Sequence, residues 1–575
     1  MIRITQIFAI LSVACGLFGC MAEPSDTSSS AAVSSAQSSS QSSTQSSTAS
    51  SVAPAGDIAL GRAYFMQSTT QGDTAQLPDQ QTPLAAGKSA LLRAFVTGSG
   101  NTFAYRANVQ FHYQLQNGET GSVPLSGPIL LPRSINEVYL SETYNAAIPA
   151  EVVQPGTRYY LSARDTNNTL EANAANNRYP AEGWARLPVL SVQPLDLVIV
   201  PVVTKNINPN LTDARLQELL ALTYQLYPFP DINVELKPAI TYEGESWPEM
   251  LKLVENIQIA NEETNRYYLG IAGHPLTFET MNITAGYAYI GRKVATSLPF
   301  ADTIAHELGH NFGREHAPCG DAPGADSEYP YANGEIGVYG LGANGLRFND
   351  SHYDVMSYCT PVWISDYTYD AVIKKVAVSS NASAFISKTT SATTANSLDL
   401  NKATTASNSD SLLVINGQLD NLAPTTASID LMLPVKRYDS TQATSGDYMA
   451  VIIDTNGNIA ARQTFEPYKE DHGDGLHFTV AIAKTADANV LQIRYRDTVL
   501  TTRTLNHNQI QKPTVITAER IDEDWVTLSN IAPTPAVIRD DSGSALSIAR
   551  SSNIKVFTRS NQLTVDGKLV TVSAP

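Results

Sequence analysis

The stretch HELGHNFGREH, residues 306–316, decides how this chain is interpreted. A helix places residues four apart on one face, so His306 and His310 are expected to stand one above the other. Two imidazoles in that arrangement can hold one Zn²⁺ ion at about 2.0–2.1 Å from each nitrogen. Gly313 can adopt a positive φ angle and turn the chain out of the helix, which returns His316 as a third ligand. Three histidines leave a fourth position open, as in a catalytic zinc site.

Glu307 lies beside these histidines on the flank of the helix, where its carboxylate can reach a metal-bound water and act as general base. A surface amphipathic helix with scattered histidines is the alternative interpretation. That alternative explains neither Glu307 nor Gly313, whereas three of the chain's nine histidines fall within this one motif. The motif therefore predicts a hydrolytic zinc centre.

A second segment, SHYDVMSYC at residues 351–359, follows the histidine motif. Together the two segments resemble the metzincin clan of zinc endopeptidases. The resemblance implies that Met356 forms a methionine turn beneath the zinc. It also implies a role for Tyr358, because the astacin and serralysin branches place a tyrosine there that ligates zinc in the resting enzyme or stabilises the oxyanion. An ordinary packed aromatic is the alternative for Tyr358.

The resemblance covers residues 195–375, and the lipoprotein-type start points to a bacterial branch that is weakly similar to secreted mucin-cleaving metalloproteases. It implies a zinc-dependent endopeptidase that hydrolyses peptide bonds of proteins or glycoproteins. It also implies that the strand near residues 287–290 borders the cleft, where a peptide substrate pairs with its edge. A surface adhesin on a degenerate protease fold and a zinc hydrolase of non-peptide substrates are the alternatives.

The N-terminus is typical of an export signal. Arg3 precedes an apolar run, residues 7–18, that is too short to span a bilayer. The run ends at Cys20 in a sequence that resembles a bacterial lipobox, in which lipid on the cysteine anchors the chain to a membrane. We therefore expect an exported outer-membrane lipoprotein facing the cell surface or the periplasm. A soluble secreted protein is the alternative.

Cys319 and Cys359 remain once the signal peptide and Cys20 are set aside. In an oxidising compartment a disulfide between them is expected, and it would tie the third-ligand segment to the methionine turn. Two free thiols are the alternative. The bridge closes a loop of about 40 residues, which the chain-entropy model values at on the order of 3–4 kcal/mol.

Composition limits the partners. The net charge is −17, with 55 acidic against 38 basic residues, so no basic stripe is present to bind nucleic acid phosphates. We expect a monomer whose partners are a protein or glycoprotein substrate and a membrane. Asp321, Asp326 and Glu328 are candidate Ca²⁺ ligands, although solvated loop acids are the simpler interpretation.

The fold class expected is a multidomain chain, in which an α+β metzincin-like catalytic domain is flanked by all-β domains of immunoglobulin-like sandwich type. Alternating apolar runs, turn residues and Ser/Thr-rich stretches set the boundaries. The β-rich region after residue 410 offers no site by sequence. The expected segments are a signal peptide (1–20), a tether (21–55), a β-sandwich (56–192), the catalytic domain (193–377), a linker (378–410), a second β-sandwich (411–508) and a small β unit (509–575).

Overall fold

A computed structural model of the 575-residue chain describes residues 2–4, 56–71, 82–100, 107–165, 173–274, 284–343, 345–347, 351–378, 412–439, 443, 445–473, 475–505, 515–532 and 535–574. The predicted lipobox at Cys20, the serine-rich tether and the linker before residue 411 lie outside these described residues. In the part of the chain that the structure describes, no helix is long and apolar enough to cross a membrane.

The first β domain consists of a four-stranded and a five-stranded antiparallel sheet, joined by a short two-stranded pair. Phe65, Phe111 and Tyr159 pack edge-to-face and stacked between the two main sheets, as expected for a sandwich core. After the N-terminal β1 (Ile2–Ile4), the strands of this domain are β2 (Gly56–Met66), β3 (Thr70–Gln71), β4 (Leu84–Ala85), β5 (Ala90–Gly100), β6 (Ala107–Gln114), β7 (Thr120–Leu125), β8 (Tyr144–Ile148), β9 (Arg158–Asp165), β10 (Arg178–Tyr179), β11 (Ala185–Arg186) and β12 (Val189–Leu190).

The central domain alternates strands and helices. Its elements are β13 (Leu195–Thr204), α1 (Asp213–Leu226), β14 (Ile232–Leu236), β15 (Ile240–Tyr242), α2 (Trp247–Ala260), β16 (Tyr267–Ala272), β17 (Gly286–Ala288), β18 (Val294–Ser297), α3 (Ala301–Asn311), β19 (Gly340–Gly342), β20 (Gly345–Arg347), β21 (Tyr353–Asp354), β22 (Val362–Trp363) and α4 (Asp366–Val376). Helix α1 begins at Asp213, where the Thr212 side chain caps it by accepting a hydrogen bond from the Arg215 amide.

The main sheet of this domain runs β1-β14-β13-β16-β18-β17, with β15 also paired to β13. Strands β14, β13, β16 and β18 are parallel, whereas β17 is antiparallel to β18 and forms one end of the order. β13 is apolar over residues 197–203 because both faces are covered there: Leu197 faces α1 and α3, while Val198 faces α2. The short strand β18 was missed by the sequence analysis, and it places β17 at the sheet edge.

The second sandwich and the C-terminal unit follow. Two four-stranded antiparallel sheets make the sandwich, and a seven-stranded sheet makes the C-terminal unit. Their strands are β23 (Leu412–Leu419), β24 (Ala427–Val435), β25 (Tyr448–Asp454), β26 (Ile459–Phe465), β27 (Tyr468–Lys469), β28 (Leu476–Ala483), β29 (Ala488–Tyr495), β30 (Thr498–Thr504), β31 (Thr517–Arg520), β32 (Trp525–Ser529), β33 (Ala536–Arg539), β34 (Ala545–Ala549), β35 (Asn553–Phe557), β36 (Gln562–Val565) and β37 (Lys568–Ser573).

The expectation of a multidomain chain with all-β domains is confirmed by this architecture. The second sandwich also packs against the central domain. Its side chains share a buried core with α2, to which Val414, Leu431 and Leu433 contribute. This docking positions the turn after β27 over the histidine motif.

Candidate metal centre

Helix α3 carries the first part of the centre. His306, Glu307 and His310 lie on it and are buried. Gly309 is required here because a Cβ at that position would lie 2.3 Å from the Met356 sulfur. Met356 therefore packs directly against the helix segment that carries the two histidines. Any larger residue at position 309 would push Met356 away from α3.

A turn at Gly313 and a disulfide position the third histidine, His316, beside the other two. Gly313 adopts φ +89° immediately after the helix, as the sequence predicts. The predicted disulfide between Cys319 and Cys359 is present, with a Cα–Cα distance of 5.7 Å. In addition, the Ala317 amide donates to the Met356 carbonyl at 2.9 Å. The His316 segment is thus fixed to the turn beneath the helix.

Each of the three imidazoles is oriented by a backbone carbonyl. His306 Nδ1 lies 2.7 Å from the Val355 carbonyl, and His310 Nδ1 lies 2.7 Å from the carbonyl of residue 314. His316 Nδ1 lies 2.6 Å from the Pro323 carbonyl. A carbonyl only accepts, so each Nδ1 carries the proton and each Nε2 presents a lone pair.

Those three lone pairs converge on one point. The Nε2 atoms of His306 and His310 are 3.1 Å apart, and the ligand atoms of the three histidines all lie within 4.8 Å of one another. The buried Nε2 of His316 has no hydrogen-bond partner. Burial lowers the pKa of all three rings, that of His306 to about 3, so none is protonated at neutral pH. Facing acceptors at this spacing fit a tetrahedral divalent ion, for which about 3.3 Å between nitrogens is expected.

Glu307 is almost fully buried beside the histidines, and its Oε2 atom has no hydrogen-bond partner. Gly286 at the start of β17 makes the room for it, because a Cβ there would lie 2.4 Å from Glu307 Oε1. Burial raises the pKa of Glu307 well above its usual value, and the nearby charge of Asp471 adds to the effect. This carboxyl consequently holds a proton more readily than an exposed glutamate does.

The turn that contains Met356 is held by Asp354, a buried residue to which the sequence analysis gave no role. One carboxylate oxygen accepts from the Met356 amide at 2.9 Å. The other accepts from the Ser365 amide at 3.0 Å, while Ser365 also caps the N-terminus of α4. Asp354 thereby connects the turn beneath the centre to the last helix of the domain.

Tyr358 lies at the mouth of the centre. Its ring centroid is 5.0 Å from that of His316 and 5.8 Å from that of His306. Its hydroxyl is 2.9 Å from Nδ1 of His472. Burial raises the pKa of the phenol above its usual value, so the hydroxyl keeps its proton and can donate it in a hydrogen bond.

Two residues from the second sandwich, Asp471 and His472, also reach this centre. Glu307, His310 and Asp471 form a second group whose ligand atoms lie within 4.8 Å of one another. The expectation that the region after residue 410 offers no site is therefore wrong. These residues stand more than 150 positions from the histidine motif, in a segment whose sequence (Glu-Asp-His-Gly, 470–473) has the composition of an ordinary turn.

The candidate calcium ligands do not form a comparable site. Asp326 forms an ion pair with Arg314 at 3.2 Å and accepts a hydrogen bond from the Tyr367 hydroxyl at 2.8 Å. Asp321 and Glu328 belong to no metal-ligating group. Within the described ranges, groups of three or more such side chains occur only at the histidine centre. Asp326 instead holds the segment that leads into His316, whose carbonyl accepts from its amide at 2.8 Å.

Comparison with known proteins gives one informative match. Residues 250–350, which include the histidine motif, match the family model for peptidase M66. This match supports a metallopeptidase family and hence a peptidase hydrolase. No curated protein sequence matches the chain. Among solved structures, a β-glucuronidase from Parabacteroides merdae aligns at 8% identity and a TM-score of 0.13, covering 90% of this chain and 77% of that one. That score is too low to inform fold or function.

Proposed function

We propose that this chain is a zinc-dependent endopeptidase with a metzincin-like catalytic domain. One observation carries the proposal: three buried imidazoles direct unprotonated nitrogens at one point. The buried Glu307 carboxyl, whose Oε2 atom accepts no hydrogen bond, stands beside that point. The peptidase M66 match over residues 250–350 agrees with this chemistry. His306, His310 and His316 would hold the metal.

Each group at the centre has a separate role in peptide-bond hydrolysis. A bound zinc ion supplies Lewis acidity and lowers the pKa of a coordinated water from 15.7 towards ~7. Glu307 accepts a proton from the attacking water and passes it to the leaving amine, since its buried carboxyl lies beside the three histidines. The Tyr358 hydroxyl is placed to donate to the oxyanion that develops on the substrate.

The neighbouring sheet edge supplies a place for the substrate. β17 is the end strand of the main sheet and lies directly above Glu307, as the Gly286 contact shows. An extended peptide that pairs with this edge would be aligned by main-chain hydrogen bonds. Main-chain pairing favours an unfolded or looped protein segment as substrate over a small non-peptide molecule.

Location and substrate class rest on sequence alone. The apolar N-terminal run, Cys20 and the serine-rich tether favour an exported protein anchored by lipid to the outer membrane. The disulfide agrees with an oxidising compartment. Proteins or glycoproteins outside the cytoplasm are therefore the proposed substrates, with a soluble secreted form as the alternative.

Cleavage of casein and of a mucin-type glycoprotein tests the proposal. We expect both peptide backbones to be cut, with activity lost after treatment with a zinc chelator and restored by added zinc. A matched assay with ester substrates distinguishes a non-peptide hydrolase. Peptide cleavage that persists undiminished in chelator, or hydrolysis confined to esters, would contradict the proposal.

A further inference from the structure

The edge of β17 is already occupied by the protein's own chain. The segment 468–472, which comprises β27 and the start of the following turn, runs antiparallel to the end of β17 and the two residues after it, with a bridge between Tyr289 and Glu470. The Ile290 amide donates to the Lys469 carbonyl at 3.0 Å, and the Asp471 amide donates to the Ala288 carbonyl at 3.1 Å. This pairing is the one that an incoming peptide would use.

Asp471 places its carboxylate at the metal centre. The residue is buried, and its Oδ2 atom is 3.6 Å from the His310 Nε2 lone pair. Oδ1 accepts from the Ala288 amide at 3.2 Å, whereas Oδ2 lies 3.4 Å from His472 Nε2 and beside the Glu307 carboxyl, with no donor in hydrogen-bond geometry. A buried carboxylate oxygen without a donor is costly. It is satisfied if a cation lies between it and the histidines.

His472 closes the same space from the other side. Its ring lies 5.7 Å from that of His316 and 4.6 Å from that of Tyr287, and it is hydrogen-bonded to the Tyr358 hydroxyl. The tyrosine that would assist catalysis is thus engaged by the same segment that covers the strand edge. One segment consequently contacts the metal ligands, the proposed oxyanion donor and the substrate strand.

Buried polar contacts with α2 hold this segment in place. Glu255 accepts hydrogen bonds from the Tyr468 hydroxyl at 2.8 Å and from the Thr479 hydroxyl at 2.9 Å. At the same interface, Lys252 forms an ion pair with Asp430 at 3.0 Å. These contacts fix β27 on the catalytic domain, so the position of Asp471 is set by the fold and not by a loose loop.

We propose that Asp471 is the fourth ligand of the resting metal centre, and that residues 468–472 act as a built-in occupant of the substrate position. This inference rests on the metal centre of the proposed function. With a metal bound, the carboxylate would approach from the side of His310 and take the position that a catalytic zinc keeps open. A substrate must therefore displace both the carboxylate and the main-chain pairing, and only the fraction of molecules with the segment displaced is competent.

Two variants of the full chain test this inference: Asp471→Asn, which keeps the shape and removes the charge, and Asp471→Ala. Asp447→Asn is the matched control, because it removes an exposed carboxylate of the same sandwich, paired with Arg496, without touching the centre or the interface with α2. The first measurement is the rate of zinc release to a chromogenic chelator. The second is the affinity of the Co²⁺-loaded protein for acetohydroxamate, followed by visible absorption.

We expect both Asp471 variants to release zinc at least ~10-fold faster than the wild type. We also expect them to bind acetohydroxamate about 10-fold more tightly and to cleave casein about 10-fold faster, since the open fraction rises. The Asp447 variant should behave as the wild type in all three assays. Thermal unfolding of each variant verifies that it is folded.

Unchanged zinc release and hydroxamate affinity in both Asp471 variants would overturn the ligand assignment. Faster release combined with slower cleavage would overturn the occupancy of the substrate position, because Asp471 would then assist the reaction. If the metal measurements change as expected while no variant cleaves any peptide, the ligand assignment stands and the proposed endopeptidase function fails.

Discussion

The two β-sandwiches meet the catalytic domain in different ways. The first sandwich docks through contacts such as the Trp363 indole nitrogen on the Ser68 carbonyl, at 2.7 Å, and the Tyr369 hydroxyl on Gln67, at 2.9 Å. Trp363 and Tyr369 belong to the part of the catalytic domain that supports the metal centre, and neither is a ligand. The second sandwich shares a core with α2 and inserts Asp471 beside His310. Similar architecture therefore serves as a scaffold on one flank and reaches the chemical centre on the other.

This difference shows that a domain's place in the chain says little about its distance from the site. Both sandwiches bury apolar faces against the central domain. Only the second one also extends a turn along the free edge of β17. An uncovered strand edge beside a metal centre attracts any extended segment, and here the protein provides its own.

The largest expected effect comes from comparing substitutions at Glu307 and Asp471, two buried carboxylates that belong to different domains. Glu307→Gln should reduce casein cleavage by roughly 10²–10⁴-fold, because the general base is lost. The loss should appear in both the wild-type and the Asp471→Asn backgrounds, with zinc content unchanged. Glu315→Gln, an exposed change within the same motif, is the control. Full activity of the Glu307 variant would exclude its assigned role.

Removal of the disulfide that anchors the His316 segment should have the next largest effect on zinc retention and stability. Replacing both Cys319 and Cys359 by serine removes a cross-link across 40 residues, which the chain-entropy model values at about 4 kcal/mol. We expect lower thermal stability and faster zinc release, since the His316 segment loses its anchor. A reductant should reproduce this in the wild type and change nothing in the double variant. Equal stability with and without the bridge would contradict the assignment.

The strand that Asp471 covers offers a smaller perturbation. Gly286→Ala places a methyl group on the Glu307 carboxylate, and a displacement of about 1 Å can cost on the order of 10²-fold in rate. We expect slower casein cleavage with normal zinc content. Gly61→Ala, whose nearest contact would be 3.9 Å away, is the control. Normal kinetics in the Gly286 variant would mean that β17 does not set the position of Glu307.

A substitution in the first sandwich should lower the free energy of unfolding without changing the rate of zinc release. Lys88 is buried and donates to the carbonyls of Tyr224 and Tyr227, both at 2.7 Å. Lys88→Met removes a donor from both carbonyls, of which that of Tyr227 keeps the Phe229 amide, at about 1–3 kcal/mol in total. Chemical denaturation should show the loss, whereas zinc release should match the wild type. Lys374→Met, at an exposed position, is the control.

The pH dependence of this effect has a defined sign. Burial lowers the pKa of Lys88 from 10.5 to about 7. Between these values the unfolded chain binds more protons than the folded one, so the lysine's contribution to stability rises with pH across that window. The stability difference between the wild type and Lys88→Met should therefore grow from pH 7 to pH 10. A difference that shrinks with pH would contradict the burial effect.

Local patterns predicted the inner part of the site. The spacing of His306 and His310, the positive φ of Gly313 and the Cys319–Cys359 bridge follow from helix periodicity, glycine freedom and cysteine pairing, and the structure has each of them. These features depend on residues close in sequence or on a single pair of cysteines. These features could therefore be predicted from the sequence without knowledge of the fold.

The outer part of the site could not be predicted in the same way. Asp471 and His472 reach the centre only because the second sandwich packs on α2, and no periodicity encodes that docking. The weak signal was an acid and a histidine within a turn of an otherwise β-rich region. Strand β18 was missed because four residues are too few for alternation to be recognised, so the edge position of β17 was given only by resemblance.

Zinc content and X-ray absorption at the zinc edge test the central claim most directly. After zinc loading and dialysis, the wild type should retain one zinc ion per chain, coordinated by three imidazole nitrogens and one oxygen. His310→Ala should lose that ion while remaining folded. Failure of the wild type to retain zinc, or an unchanged coordination shell in His310→Ala, would contradict the account.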